Sequence, residues 1–154
     1  MRRPFLNPVN TLSFEQIRAR VDKTLNEGIQ INMSTQESNK LLKSHVNNKT
    51  NLVILFVDIN NSTQMSLSLT EKNFALILQI FAQEISIAVL AYGGYVLKYE
   101  GDAVIALFPA EHDRMKACKN ALNCSRAILE VIRQDMSRKK VHITIFSPPK
   151  STEM

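Results

Sequence analysis

The sequence predicts an α+β domain in which a split βαβ sheet is preceded by a helical extension. Three observations point there. The run Leu52 to Val57 is continuous, apolar and β-branched, with the length of a buried strand. A long apolar helical stretch, reaching Tyr92 and stopped by Gly93-Gly94, follows it. Two further strand-like runs, Tyr95 to Tyr99 and Ala103 to Phe108, flank Glu100-Gly101-Asp102 and read as a β-hairpin that ends at Pro109.

At 154 residues, the chain fits one domain with a short appendage. Residues 1–12 carry Pro4 and Pro8 and read as a loose arm. Ser13 followed by Gln16 is a capping-box pattern, and Phe14, Ile17, Val21 and Leu25 then recur at helical spacing up to Gly28. A second, weaker helix is expected from about Thr35 to His45. Residues 47–51 form a polar break, with His45 beside it as a solvated surface residue. The break divides an N-terminal arm and helical extension, 1–50, from a main domain, 51–146, and a tail, 147–154. The two leading helices fit a dimerisation element, a linker or a cap on the domain.

In the main domain Asp58 is expected to end the first strand. Asn60, Asn61, Ser62 and Thr63 then form a helix-entry cluster. Thr70 is placed to cap the long helix. After the hairpin, an amphipathic helix is expected from about Glu111 to Met136. Met115, Cys118, Leu122, Leu129 and Ile132 would mark its inner face. Val141 to Phe146 reads as the last strand. The order is β-α-α-β-β-α-β, the ferredoxin-like or palm-like pattern with antiparallel hairpin strands.

Composition narrows the class. With 45% apolar and 21% charged residues the chain is ordinary globular material. The net charge of +5 comes from scattered groups such as Arg2-Arg3 and Arg138-Lys139-Lys140. It fits a solvated surface, with room for a phosphate-rich ligand, and no nucleic-acid partner is expected. Cys118 and Cys124 lie six apart on a helix, hence on different faces, as reduced thiols in a cytoplasmic protein. Met-Arg-Arg-Pro is followed by polar sequence, so no signal peptide is expected. Gln79, Gln83 and Ser86 interrupt the apolar helix at i, i+4 and i+7, a polar stripe on a buried helix in place of a membrane span.

Two carboxylates carry the chemistry. In this topology the first strand and the hairpin are neighbours, so Asp58 and Asp102 converge from about forty residues apart. Carboxylates held that close share a proton or hold a hard cation, and such oxygen ligands suit Mg²⁺ or Mn²⁺. A pair of ions activates an attacking hydroxyl and neutralises a leaving polyphosphate. The helix entry at Asn60 to Thr63 points free backbone N–H groups at the place for phosphates.

FVDINNSTQMS, followed at this distance by GGYVLKYEGDAVIALFP, resembles the class III nucleotidyl cyclases, the adenylyl and guanylyl cyclase catalytic domain. Asp58, Ile59, Ser62 and Thr63 match the first family motif; Lys98, Gly101 and Asp102 match the second. The resemblance covers about residues 50–146. It implies a two-metal site in which Asp58, the Ile59 carbonyl and Asp102 ligate the ions. The backbone of Asn61, Ser62 and Thr63 would touch the triphosphate. Lys98 goes with adenine recognition in this family, because a lysine donates to the adenine ring-nitrogen acceptor, whereas the guanine ring N–H calls for a carboxylate. The implied reaction is attack of the ribose 3′-hydroxyl of ATP on its α-phosphorus, giving cyclic AMP and pyrophosphate. Family sites form between two subunits, so a homodimer, or a heterodimer with a complete cyclase domain, is implied.

The family pattern continues past residue 146 with a glycine-rich hairpin and a helix bearing an asparagine and an arginine. Ser147 to Met154 departs from it. The chain thus reads as C-terminally truncated, and losing a charge-stabilising arginine typically costs about 10³-fold or more in phosphoryl-type transfer. An alternative is therefore an inactive cyclase homology module that dimerises or binds nucleotide. A diguanylate cyclase would carry Glu-Phe where Ala103-Val104 follow Asp102.

Overall fold

A computed structural model describes residues 13–28, 35–135 and 141–147. The elements run α1 (Phe14–Glu27), α2 (Gln36–Ser44), β1 (Leu52–Ile59), α3 (Ser62–Ser68), α4 (Glu71–Ala91), β2 (Tyr95–Glu100), β3 (Ala103–Pro109), α5 (Arg114–Asp135) and β4 (Val141–Phe146). The expected order holds, and the four strands form one sheet, β2-β3-β1-β4, with every neighbouring pair antiparallel.

Helices cover one face of this sheet. Val53, Leu55, Val57 and Ile59 of β1 point into the core, while Leu52, Ile54, Phe56 and Asp58 alternate onto the other face and stay half-buried. Val104, Ala106 and Phe108 stand opposite Val57, Leu55 and Val53 and extend the same buried face. Phe81, Ile85, Ala88 and Val89 of α4 pack onto it, with Ala117, Ala121, Cys124, Ile128 and Ile132 of α5. Burial raises the Cys124 thiol to about 12, so it stays protonated and unreactive. Both cysteines are free.

The apolar stripe of α5 differs from the sequence expectation. Met115, Leu122 and Leu129 are exposed, whereas Ala117, Ala121 and Ser125 are buried. Periodicity alone allows either stripe, because α5 carries apolar residues on two faces. The close approach of α5 to the sheet selects the smaller side chains. Ile132 is buried as expected, and Cys118 packs at the core margin.

Capping follows the sequence signals. Ser13 Oγ accepts from the Gln16 N–H at 3.4 Å, and Thr70 Oγ1 accepts from the Asn73 N–H at 3.3 Å. At the far end of α4 the Gly93 N–H bonds the Leu90 carbonyl and the Gly94 N–H the Val89 carbonyl, at 3.2 and 2.9 Å. With Gly93 at φ 79° this is a Schellman ending, which reverses the chain directly into β2.

α4 is long and apolar enough to cross a membrane by length and composition, with mean hydropathy 2.0 over its apolar window. Its second half is buried from Gln83 to Val89, and its polar groups have protein partners. Arg20 of α1 donates to both Glu84 carboxylate oxygens, at 3.2 and 2.7 Å. The Gln83 amide donates to Thr24 Oγ1 at 2.9 Å, and the Ser86 and Tyr99 hydroxyls share a 2.8 Å hydrogen bond. These contacts make α1 a cap over α4 and α5. An apolar cavity of about 270 Å³, lined by Ile17, Val21, Ile80, Ile128 and others, remains among the three helices.

Gly94 admits no side chain: a Cβ there would sit 2.8 Å from the Phe108 ring and 2.9 Å from Val89. Gly94→Ala is expected to destabilise by about 1–3 kcal/mol, lowering Tm by roughly 3–10 °C in a calorimetric scan. Gly101→Ala, with open space but φ +59°, should cost only about 1 kcal/mol of left-handed strain.

Candidate functional site

Asp58 lies within β1, one residue before its end. The strand does not stop at this residue because it is paired on both sides: Asp58 stands opposite Ala103 of β3 and His142 of β4, and Ile59 opposite Val141. The Ile59 N–H then donates to the Asp102 carbonyl at 3.2 Å, fastening the strand end to the hairpin turn. The backbones of Asp58 and Asp102 are therefore neighbours, as the topology required.

The turn itself has two residues. Glu100 pairs with Ala103, leaving Gly101 and Asp102 between them. Gly101 takes φ 59°, the first-position glycine preferred in type II′ hairpins, whose twist matches that of the strands. Both aspartates are half-buried, and among the described residues neither carboxylate takes part in a hydrogen bond or ion pair. Two neighbouring aspartates at the end of β1 are the oxygen donors that a hard cation would take, with the Ile59 carbonyl as a third. Among the described residues no three of His, Cys, Asp and Glu gather into a metal cage, so any ion here would complete its shell with ligand or water oxygens.

The chain leaves β1 through Asn60 and Asn61. Asn61 adopts the left-handed conformation, φ 58° and ψ 34°, and starts α3 without a side-chain cap. Its carbonyl accepts from the Met65 N–H at 3.1 Å, which aligns the first turn. Ser62 is half-buried and Thr63 exposed. The opening N–H groups of any helix lack intrahelical partners.

Lys98 sits apart from the aspartates. It lies on edge strand β2 opposite Ile105, two strands from β1, and its Nζ donates to Glu100 Oε1 at 3.0 Å. Both side chains are 57% exposed, so this ion pair is weak and easily exchanged for another partner. The structure thus brings Asp58, Ile59 and Asp102 together, keeps Asn61, Ser62 and Thr63 immediately downstream, and leaves Lys98 with Glu100.

Sequence reasoning assigns no site role to Glu100 or Ala103. Lys98 and Glu100 are two apart on a strand, a spacing that puts them on one face. Ala103 matters through register: Glu100, Ala103 and Asp58 form one row across the sheet, and only a methyl group separates the two acids. That row is set by strand pairing and has no local signature.

No protein-family profile matches the chain. Uridylate cyclase from Burkholderia cepacia is 26% identical over 103 residues, covering 67% of this chain and 45% of that protein. The adenylyl cyclase CyaB from P. aeruginosa superposes with a TM-score of 0.57 at 24% identity, over 62% of this chain and 55% of that one. The guanylate cyclase domain of RhGC from Catenaria anguillulae, solved with GTP, gives a TM-score of 0.56 at 21% identity, over 62% and 55%. The chain spans about half the length of the proteins it matches. It carries the fold of the class III adenylyl and guanylyl cyclase catalytic domains.

Proposed function

We propose that the chain is an adenylyl cyclase-like domain of cyclic-nucleotide signalling in the cytoplasm, converting ATP to cyclic AMP and pyrophosphate between two subunits. The observation that carries this reading is the pairing of Asp58 with Ala103 and of the Ile59 N–H with the Asp102 carbonyl. It brings the two aspartates to neighbouring backbone positions, and among the described residues neither carboxylate has a hydrogen-bond or ion-pair partner.

In this reading Asp58, Asp102 and the Ile59 carbonyl hold two Mg²⁺ or Mn²⁺ ions. When bound, these would lower the pKa of the ribose 3′-hydroxyl and offset charge on the leaving pyrophosphate. The Asn61 to Thr63 backbone would orient the triphosphate through its outward N–H groups. Lys98 would exchange Glu100 for the base, in a site completed by a second copy or by a complete cyclase domain. Its ammonium donates only, so it selects a base edge presenting an acceptor, as at the adenine ring nitrogen. The proton of the 3′-hydroxyl would leave to solvent or to substrate phosphate, because the two aspartates would be occupied as metal ligands.

A second reading concerns the base. The curated relative at 26% identity is a uridylate cyclase. A uracil edge offers a carbonyl acceptor to a lysine and an N–H donor to a carboxylate, and Lys98 with Glu100 supplies both partners.

The test is product formation from Mn²⁺-ATP, Mn²⁺-UTP and Mn²⁺-GTP by the chain, alone and mixed with a complete cyclase domain. The cyclase reading expects product from one nucleotide that falls at least about 10³-fold in Asp58→Ala and in Asp102→Ala. Background product in every arm, including the mixture, sinks it in favour of a non-catalytic module.

Cation binding has its own readout. Mn²⁺ at about a hundredfold its dissociation constant should stabilise the chain by about 2.7 kcal/mol by linkage, visible as a rise in Tm. In Asp58→Asn and Asp102→Asn that rise should vanish. Without metal the same variants should match or slightly exceed the parent in Tm, since each removes one of two adjacent like charges.

A further inference from the structure

The junction between α2 and the sheet domain contains a histidine whose partners are all acceptors. His45 follows the last residue of α2. Its Nε2 lies 2.7 Å from Glu111 Oε1, in the loop after β3, and its Nδ1 lies 2.8 Å from the Leu41 carbonyl. Ser44 Oγ is also 2.9 Å from Nδ1, but that hydroxyl already donates to the Leu41 carbonyl at 2.7 Å, so only a lone pair faces the ring. A carboxylate on one nitrogen, and a carbonyl and a lone pair on the other, are satisfied together only by an imidazolium carrying both protons. Thr50 Oγ1 donates to the same Glu111 oxygen at 2.6 Å, and the Ala110 N–H bonds the Asn51 carbonyl at 2.9 Å.

We propose that His45 and Glu111 form a pH-sensitive latch that holds α2 and the 46–51 linker against the sheet domain while His45 is protonated. Loss of the Nδ1 proton leaves a lone pair facing the Leu41 carbonyl. The Ser44 hydroxyl must then turn from Leu41 to the ring, and the charge attraction to Glu111 is lost. The element released is not a bystander. α2 packs against β2, and the Ser38 hydroxyl hydrogen-bonds the Val96 carbonyl two residues before Lys98. The latch stands on these contacts whether or not the domain turns over nucleotide.

The groups facing the pair are Glu111 and His112 from the loop after β3, Thr50 from the linker, and Leu41 and Ser44 from α2. Lys43 and Lys49 flank it in sequence. The Leu41 carbonyl, then Glu111, raise His45 above its ordinary 6.5. The Thr50 hydroxyl and then His45, aided by the charge of His112, hold Glu111 below its ordinary 4.5. A raised histidine contributes fully below 6.5 and loses its contribution as pH rises through the raised value. A lowered carboxylate contributes above 4.5 and fails as pH falls through the lowered value. The latch is therefore closed in mildly acidic solution and opens on the alkaline side of 6.5.

Two measurements on the full chain test it. The first is NMR titration of the three histidine rings, with His45 assigned by its loss in His45→Gln. The His45 midpoint should lie above 6.5, fall toward 6.5 in Glu111→Gln and stay above 6.5 in His112→Gln. The second is the rate of cleavage at Lys43 and Lys49, compared between parent and His45→Gln across about pH 5.5–8.5. The parent should be cut about threefold more slowly at the acid end, the scale of one exposed ion pair, and equally fast at the alkaline end. A His45 midpoint at or below 6.5, a midpoint unmoved by Glu111→Gln, or a cleavage ratio constant with pH overturns the proposal.

Discussion

The structure depends on the antiparallel pairing of β1 with β3. Its register, from Leu52 opposite Pro109 to Asp58 opposite Ala103, does two things at once. It sets Val53, Leu55 and Val57 beside Phe108, Ala106 and Val104 on the face that α4 and α5 cover. It also ends with the Ile59 N–H on the Asp102 carbonyl. A slip by one residue would turn the apolar side chains of β1 to the uncovered face and carry Asp58 into the core. The site and the core are thus specified by the same hydrogen bonds, and the burial of three pairs, Val53 with Phe108, Leu55 with Ala106 and Val57 with Val104, guards the placement of the two acids.

That coupling explains how two half-buried aspartates hold their places at the end of β1. The strands beneath them are held by apolar burial on the other side of the sheet. The glycines serve the same geometry. Gly94 lets β2 begin against Phe108, and Gly101 gives the hairpin a turn short enough to keep Asp102 at the end of β1.

The helical extension is part of the same body. α1 supplies Ile17 and Thr24 to the buried surface and Arg20 to Glu84, and α2 lies along edge strand β2. An edge strand presents unpaired backbone groups to any partner. The Ser38 hydroxyl takes one of them, the Val96 carbonyl. His45, expected as a solvated residue, is instead held between Leu41 and Glu111.

Local signals in the sequence determined the elements: the Ser13 and Thr70 caps, the Gly93-Gly94 stop, the two-residue turn and the β-branched runs each act within a few residues. The order βααββαβ follows from them, and with it the neighbourhood of Asp58 and Asp102. Tertiary structure decided what such signals leave open. It chose Ala117, Ala121 and Ser125 over Met115, Leu122 and Leu129 for the buried side of α5, because two apolar stripes share that helix and only the space above the sheet separates them. It extended β1 through Asp58, because pairing on both sides outweighs the weak strand preference of an aspartate. It placed Glu100 in one row with Asp58 and His45 beside Glu111, because contacts between residues forty or more positions apart depend on register and packing, which no local pattern encodes.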